Sequence, residues 1–439
     1  MSSPTGNYSF YLGRDRVVGL SGPQGRKTFF ESRELDLDAG SDFALPWAGL
    51  ALQTDVFASD AHPSNLRSVV RATLLRTQGL ESIPATIEPY TTATLNHIAT
   101  EGLFDPFREI TWPFTQSAMA AMGIGELANS SELSRRVSDM LGALDRAFTA
   151  IDIVLPWPLN PWIIRMLIVL ARLCASMSKI IFNRKQQQQP NEEHPGKHGM
   201  LQDLIDKGWS TGAILQVMLG ASFGARGNTP TVMSWTLIGL STDGHWMAQV
   251  RQEVEQVIFR HQIKGRSADQ VLQSLSVHTW EHEFPLLHAC LLESMRLALL
   301  PVVFRKNIST TDIRIGDTGE VIPPGAYAAY DFRDWARNPD IYPDPQRWDP
   351  GHFLPDRAEH LKETIGFTGF GGGRRKCPGR RFAHIYAAMA IARLVTMFDI
   401  TLCDERGSPI HQAPTPRMGT SAFSARPESP VRLRCTRRS

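Results

Sequence analysis

Cysteine is scarce in this chain. Only five of its 439 residues are Cys (Cys174, Cys290, Cys377, Cys403 and Cys435), and the nearest pair, Cys377 and Cys403, stands 26 positions apart. There is no C-x-x-C and no zinc-ligand spacing, which excludes a zinc module, a dithiol motif and a disulfide framework. The default for each thiol is a buried side chain in a reducing compartment. An excess of one charge is missing as well: 46 Lys+Arg stand against 44 Asp+Glu, for a net charge of +2. That gives no global reason to bind nucleic acid, so any basic surface must come from local clustering. Long hydrophobic runs are also lacking. The opening Met1-Ser2-Ser3-Pro4-Thr5-Gly6-Asn7 is polar and has no apolar core for a signal peptide. No stretch reaches the roughly 18 uncharged apolar residues of a spanning helix. The nearest, 162–182, is interrupted by Arg165, Arg172 and Lys179, which are seven apart and so form one narrow basic stripe on a helix. Such a helix suits either a membrane surface or the outside of a core.

The chain does carry an ordinary globular composition, 42% hydrophobic and 21% charged, which rules out disorder across its length. At roughly 150 residues per domain the length prior would be about three domains, but the texture argues for fewer. Residues 8–36 read as a hairpin followed by a helix that opens at Ser21-Gly22-Pro23 and runs through Phe29 and Phe30. From about 64 to 300 the pattern is mainly helical, punctuated by Pro156-Trp157-Pro158-Leu159-Asn160-Pro161 and by a glutamine-rich loop at 186–199 that carries no chemistry. Residues 301–376 hold short β-like runs with many prolines, a helix returns at 378–397, and short β-like segments close the chain. There is no internal repeat. The expectation is one α-rich domain over 1–439: a β-rich part (1–60), a helical body (61–300), a β and irregular region (301–376), and a final helix with terminal β segments (377–439).

One cysteine departs from the default. Phe370-Gly371-Gly372-Gly373-Arg374-Arg375-Lys376-Cys377-Pro378-Gly379-Arg380-Arg381 surrounds a thiol with cations and precedes an Ala-rich helical stretch. Three consecutive glycines allow close approach of another group, and Pro378 suits a first helical turn. A thiol at a helix N-terminus beside cations is shifted toward thiolate, as ligand or nucleophile. A phosphate loop is excluded, because Lys376 is followed by Cys and no GxxxxGK[ST] exists.

This segment resembles the cysteine-ligand loop of the cytochrome P-450 (haem-thiolate monooxygenase) family. The pattern F-x-x-G-x-R-x-C-x-G is met at Phe370, Gly373, Arg375, Cys377 and Gly379. Glu293-Ser294-Met295-Arg296 matches the family's E-x-x-R, whose i,i+3 side chains share a helix face. The third partner, from P-x-R-F, matches Pro350-Gly351-His352-Phe353, with His352 in place of arginine. The resemblance implies a mainly α cytochrome P-450 fold, haem b bound through Cys377, and a structural role for Glu293, Arg296 and His352. It implies that Arg305 and Arg375 pair with haem propionates. The family's W-x-x-x-R is not evident, and Arg67, Arg71 and Arg76 remain open for its part.

On the oxygen side the family carries A-G-x-[DE]-T. Here Gly224-Ala225-Arg226-Gly227-Asn228-Thr229-Pro230 puts Gly227 at the acid and Asn228 at the threonine, similar to the sterol 7α-hydroxylase and prostacyclin synthase branch. Asparagine donates a hydrogen bond but does not readily relay protons. Pro230 is expected to kink the helix and free carbonyls for water. Two reactions stay open: hydroxylation sustained by water with Asn228 or Thr229, and an isomerisation that needs no external protons. Haem binding without turnover is a third reading. By resemblance, 221–231, 302–304 and 419–423 line the pocket.

The family's monooxygenases take electrons from an NADPH-cytochrome P-450 reductase, and no flavin or iron–sulfur domain is evident in this chain. Arg374, Arg375, Lys376, Arg380 and Arg381 would present a basic surface to such a partner. The remaining implied partners are O2 and a hydrophobic small molecule, with no nucleic acid and with peripheral membrane contact through 162–182. Leu20-Ser21-Gly22 followed by Gly25-Arg26-Lys27 and Phe29-Phe30 is similar in texture to filamentous-fungal members of secondary metabolism or sterol and terpenoid oxidation. The family's usual place is the cytosolic face of the endoplasmic reticulum. Its membrane anchor and first helix are not found ahead of the hairpin.

Overall fold

The computed structural model describes residues 4–37, 39–40, 81–147, 161–186, 199–373, 376–417 and 424–438. The predicted hairpin is β1 (Tyr8–Leu12) and β2 (Asp15–Leu20), paired in register from Tyr8↔Gly19 to Leu12↔Asp15. Helix α1 (Gly22–Glu31) follows, with proline in its first turn, and it buries Phe29 and Phe30. These aromatics and the β-branched Val17 and Val18 bind the start of the chain to strands almost 300 residues later. Strand β2 pairs in parallel with β8 (Tyr327–Asp331), β8 pairs antiparallel with β5 (Val302–Asn307), and β5 with β3 (Leu35–Asp36). The resulting sheet has the order β1-β2-β8-β5-β3. A second sheet sets β12 (Val431–Arg437) between β4 (Leu103–Phe104) and β9 (Phe398–Asp404). Two short two-stranded pairs complete the β part: β6 (Ile313–Arg314) with β7 (Val321–Ile322), and β10 (Pro416–Arg417) with β11 (Arg426–Pro427).

The longer helices of the body are α2 (Ile83–Glu101), α3 (Thr111–Ala121), α4 (Ser131–Ala147), α5 (Pro161–Gln186), α6 (Thr211–Thr242), α7 (Gly244–Arg260), α8 (Pro285–Ala298) and α9 (Arg380–Met397). Helix α6 starts where the Ser210 hydroxyl accepts a hydrogen bond from Ala213 N, a normal N-cap. From Pro230 to Leu240 every α6 residue is buried, as expected of a helix that is apolar on all sides. Helix α8 has no capping side chain of its own. Instead Glu253 of α7 accepts from Leu286 N (2.7 Å) and Leu287 N (2.9 Å), which satisfies two of the amides a helix start leaves open.

Hydrophobic side chains of α2 through α9 form one large cluster, which reaches β9 and β12. A second gathers Phe29, Phe30, Tyr330, Trp335 and Phe353 between α1, the five-stranded sheet and the irregular segment after it. Each fully buried aromatic or branched side chain contributes roughly 1.5–3 kcal/mol. The irregular segment is pinned to α6 by Trp348, whose ring lies where a Cβ on Gly239 would stand, 2.4 Å away. Among the described residues no helix is long and apolar enough to cross a membrane. On α5 the predicted stripe of Arg165, Arg172 and Lys179 is exposed. Leu173, Met177 and Ile181 turn to the core, while Ile164, Leu167 and Ile168 face outward.

Candidate functional site

Cys377 sits three residues ahead of α9, close to the predicted position at a helix start. Its thiol is exposed, whereas Cys290, Cys403 and Cys435 are buried. The Cys377 amide donates to the Phe370 carbonyl at 2.8 Å, and Gly371 N donates to Thr368 O at 2.7 Å. Gly371 (φ +73°) and Gly373 (φ +58°) take the left-handed conformation that favours glycine. Gly379 is the N-cap of α9, and a Cβ there would stand 4.0 Å from the Cys377 sulfur, an ordinary contact. Of the predicted cations, Arg374 and Arg375 lie outside the described residues. Lys376 and Arg380 are exposed. Arg381 donates twice to Glu281, at 2.5 and 2.6 Å, and that hydrogen bonding pulls the Glu281 carboxyl below its usual range.

Behind Phe370 stands a histidine pair that the sequence reading passed over. The His384 ring lies 4.9 Å from the Phe370 ring. His384 Nδ1 is 3.3 Å from His288 Nδ1, and His288 Nε2 is 2.8 Å from Trp280 O. A carbonyl only accepts, so His288 donates from Nε2 and its Nδ1 accepts from His384 Nδ1–H. Burial first, then the neighbouring His288 and Arg380, push His384 down to about 3. Its place seven residues after Cys377, two helical turns on, was the available signal.

The three residues predicted to share a structural role do meet. Glu293 and Arg296 are both fully buried. Arg296 Nη2 donates to Glu293 Oε1 at 2.6 Å and Arg296 Nε to Oε2 at 2.8 Å. The guanidinium also donates to the carbonyls of Ala336 (2.6 Å), Pro345 (2.7 Å) and Arg347 (3.1 Å), and it stacks over Tyr342. Glu293 accepts from Asp349 N at 2.9 Å, and His352 Nδ1 reaches its Oε2 at 3.3 Å. His352 Nε2 faces Pro343 O at 3.1 Å and Glu359 Oε2 at 3.4 Å. Trp348 Nε1 donates to Ser294 Oγ at 2.9 Å, a contact that no spacing in the sequence announced. A buried pair so completely hydrogen-bonded avoids the large cost of an uncompensated charge.

Arg305 is 3% exposed on β5, and its guanidinium stacks 4.8 Å from the Phe29 ring and 5.6 Å from Phe30. Beside it on β5, Val302 is exposed. On α6, packing gives way between Phe223 and Thr229, where the residues are exposed or half-buried. Among the described residues, a Cβ added to Gly224 or Gly227 would meet nothing within 4 Å. Asn228 Oδ1 is buried with no hydrogen-bond partner among the described residues. Arg226 turns away and donates to Ser138 O at 2.7 Å. Pro230, where a kink is expected, lies inside α6, which runs from Thr211 to Thr242. Thr231 Oγ1 donates to Gly227 O at 2.9 Å and Ser234 Oγ to Pro230 O at 2.8 Å, so these hydroxyls serve helix carbonyls. The predicted pocket turn 419–423 lies outside the described residues, as do Arg67, Arg71 and Arg76. The residues next to that turn are well held: Trp235 Nε1 donates to Ala425 O and Ala425 N to Ala298 O.

Among the described residues no group of three or more His, Cys, Asp or Glu side chains is placed to hold a bare metal ion. One exposed thiol, a buried cation and an unfilled glycine face fit a flat, carboxylate-bearing macrocycle that brings its own iron, and haem is such a group.

The comparisons agree with this reading. The family model described as Cytochrome P450 matches residues 5–424. The chain is 28% identical to cytochrome P450 monooxygenase nsrP of Aspergillus novofumigatus, over 94% of this chain and 79% of that protein. It is 27% identical to cytochrome P450 monooxygenase AacuE of Aspergillus aculeatus, over 93% and 82%, and 28% identical to claM of Passalora fulva, over 93% and 76%. A solved cyanobacterial CYP120A1 with retinoic acid bound shares the fold, with a TM-score of 0.77 at 21% identity over 98% of this chain and 92% of that one. The chain therefore belongs to the cytochrome P450 family and is a haem-dependent monooxygenase with that family's mainly α fold.

Proposed function

We propose that the chain inserts one oxygen atom of O2 into a hydrophobic small molecule of fungal secondary metabolism, such as a terpenoid or sterol-like compound. Its electrons would come from a separate NADPH-cytochrome P-450 reductase. The observation that carries this reading is the exposed Cys377 ahead of α9, its backbone amide donating to the Phe370 carbonyl, with the half-buried stretch of α6 between Phe223 and Thr229 for the oxygen side. Haem bound through a thiolate supplies the activation of O2.

The chain's own residues have distinct parts in this reading. Cys377 would hold the haem iron through its thiolate, and Phe370, Gly373 and Gly379 shape the loop that presents it. Arg305 and Arg375 take the propionates, since a guanidinium fork suits a carboxylate. Glu293, Arg296 and His352 hold the segment beneath. Asn228 and Thr229 border the reacting oxygen and orient water there. The exposed Lys376 and Arg380 offer a basic surface to the reductase, and Ile164, Leu167 and Ile168 beside the α5 basic stripe suit peripheral contact with the cytosolic face of the endoplasmic reticulum. All of this sits in one domain, whose main core reaches from Ile83 to Cys435.

Two measurements test it. The reduced carbon-monoxide complex should absorb at about 450 nm, the mark of a thiolate ligand, and Cys377→Ala should abolish that band. Incubation with reductase, NADPH and a metabolite library should give a product heavier by one oxygen atom. A second reading, isomerisation, has the Gly227/Asn228 replacement in its favour, because no acid of the usual relay is present. Turnover without NADPH or reductase would support it, and strict dependence on them would sink it.

A further inference from the structure

The run Gly371-Gly372-Gly373 allows another group to approach closely, and at two of the three glycines that group is Phe30. A Cβ on Gly372 would lie 2.8 Å from Phe30 Cγ and 2.9 Å from Phe30 Cδ1. A Cβ on Gly373 would lie 2.2 Å from the Phe30 carbonyl oxygen. The loop is thus moulded over one residue of α1, its ring against Gly372 and its backbone against Gly373. The ring cannot retreat. Phe30 is 3% exposed, with Phe29 edge-on at 5.1 Å, Tyr330 at 5.6 Å and Phe332 at 6.2 Å. The same side chain stands 5.6 Å beneath the Arg305 guanidinium.

We infer that Phe30 is a positioning residue that sets the cysteine loop and Arg305 at a fixed separation, so that ligand thiol and propionate cation are placed by one aromatic ring of the amino-terminal helix. The inference rests on reading Cys377 as the haem ligand. Rigid aromatic rings packed at interior density transmit displacement instead of absorbing it. A shift of the ring would therefore move the loop relative to Arg305. Gly372 and Gly373 are then a packing requirement.

The two glycines make the test internal. Gly372→Ala meets ring atoms, which Phe30→Ala removes. Gly373→Ala meets the residue-30 carbonyl, which Phe30→Ala keeps, and it also sits at a positive φ. The readouts are the fraction of bound haem giving the band at about 450 nm, and the unfolding midpoint of the haem-free protein. Gly372→Ala should lose most of the band, and Phe30→Ala/Gly372→Ala should regain it, with more band than Gly372→Ala alone. Gly373→Ala should lose the band in either background. A wild-type band in Gly372→Ala, or no recovery in the double variant with its haem-free form folded, overturns the inference. If Phe30→Ala does not fold, Gly372→Ala and Gly372→Ser decide it with Phe30 in place. Cys377→Ala separates the two ideas: a surviving band there overturns the ligand reading whatever the Phe30 series does.

Discussion

On α8, Arg296 commits its guanidinium to Glu293 and to three backbone carbonyls, and Glu293 in turn takes Asp349 N and His352. On α6, Asn228 keeps a buried oxygen with no hydrogen-bond partner among the described residues, and none of these residues stands within 4 Å of a Cβ built on Gly224 or Gly227. The contrast separates two tasks. On the cysteine side the buried Glu293–Arg296 pair has its charged atoms hydrogen-bonded within the protein, so the geometry of that pair is held before any ligand arrives. The oxygen side is left under-packed and under-bonded. There a bound group gains contacts that the protein does not already make.

The sharpest way to break the comparison is to unsaturate the scaffold. Arg296→Ala leaves Glu293 as a buried charge without its partner, which costs about 3–5 kcal/mol. In urea unfolding the midpoint should fall accordingly, and Arg296→Lys should recover little of it, because a point charge cannot serve Glu293 and three carbonyls together. An Arg296→Ala protein as stable as the parent would mean that the network is not where the scaffold's stability lies. His352→Leu comes next. It strips Glu293 and Glu359 of one buried contact each, and a lost buried hydrogen bond to a charged group costs about 1.5–3 kcal/mol.

A pH experiment separates scaffold from surface more finely. Burial pushes Glu253 up to about 6 from 4.5, although it accepts the amides of Leu286 and Leu287. Because the folded value lies above the unfolded one, this group's stabilising share is complete below 4.5 and is lost as pH rises through about 6. The difference amounts to about 2 kcal/mol. Unfolding free energy measured between pH 4.5 and pH 7 should carry that slope, and Glu253→Gln should flatten it while keeping one acceptor for the α8 amides. An unchanged slope in Glu253→Gln would place the titration elsewhere.

How far the sequence reached follows from what kind of contact each part uses. The cysteine loop, Glu293, Arg296 and His352 were legible because their residue types and spacings are set by chemistry that repeats across the family. The hairpin and α1 were legible from local pattern. Phe30 beneath the loop, Trp348 on Gly239 and Glu253 capping α8 were not, since each joins different elements through tertiary contacts that no local spacing encodes. Arg375 and the 419–423 turn lie outside the described residues, so the structure adds nothing to those two expectations.

The smallest effects should come from the oxygen side, and their smallness is the point. Gly227→Ala places a Cβ where none of the described residues stands within 4 Å, on a helix that favours alanine over glycine by about 0.5–1 kcal/mol. The haem-free protein should therefore become slightly more stable, the opposite of what the same change does at Gly372 or Gly373. The methyl group would, however, occupy space that a ligand otherwise takes, so substrate-induced shifts of the haem spectrum should weaken while stability rises. Asn228→Thr sharpens this further. It should leave stability within about 0.5 kcal/mol, yet it restores a hydroxyl at the relay position and should raise the fraction of NADPH electrons that end in product. If coupling does not change, Asn228 is not part of proton delivery, and the open face of α6 serves substrate shape alone.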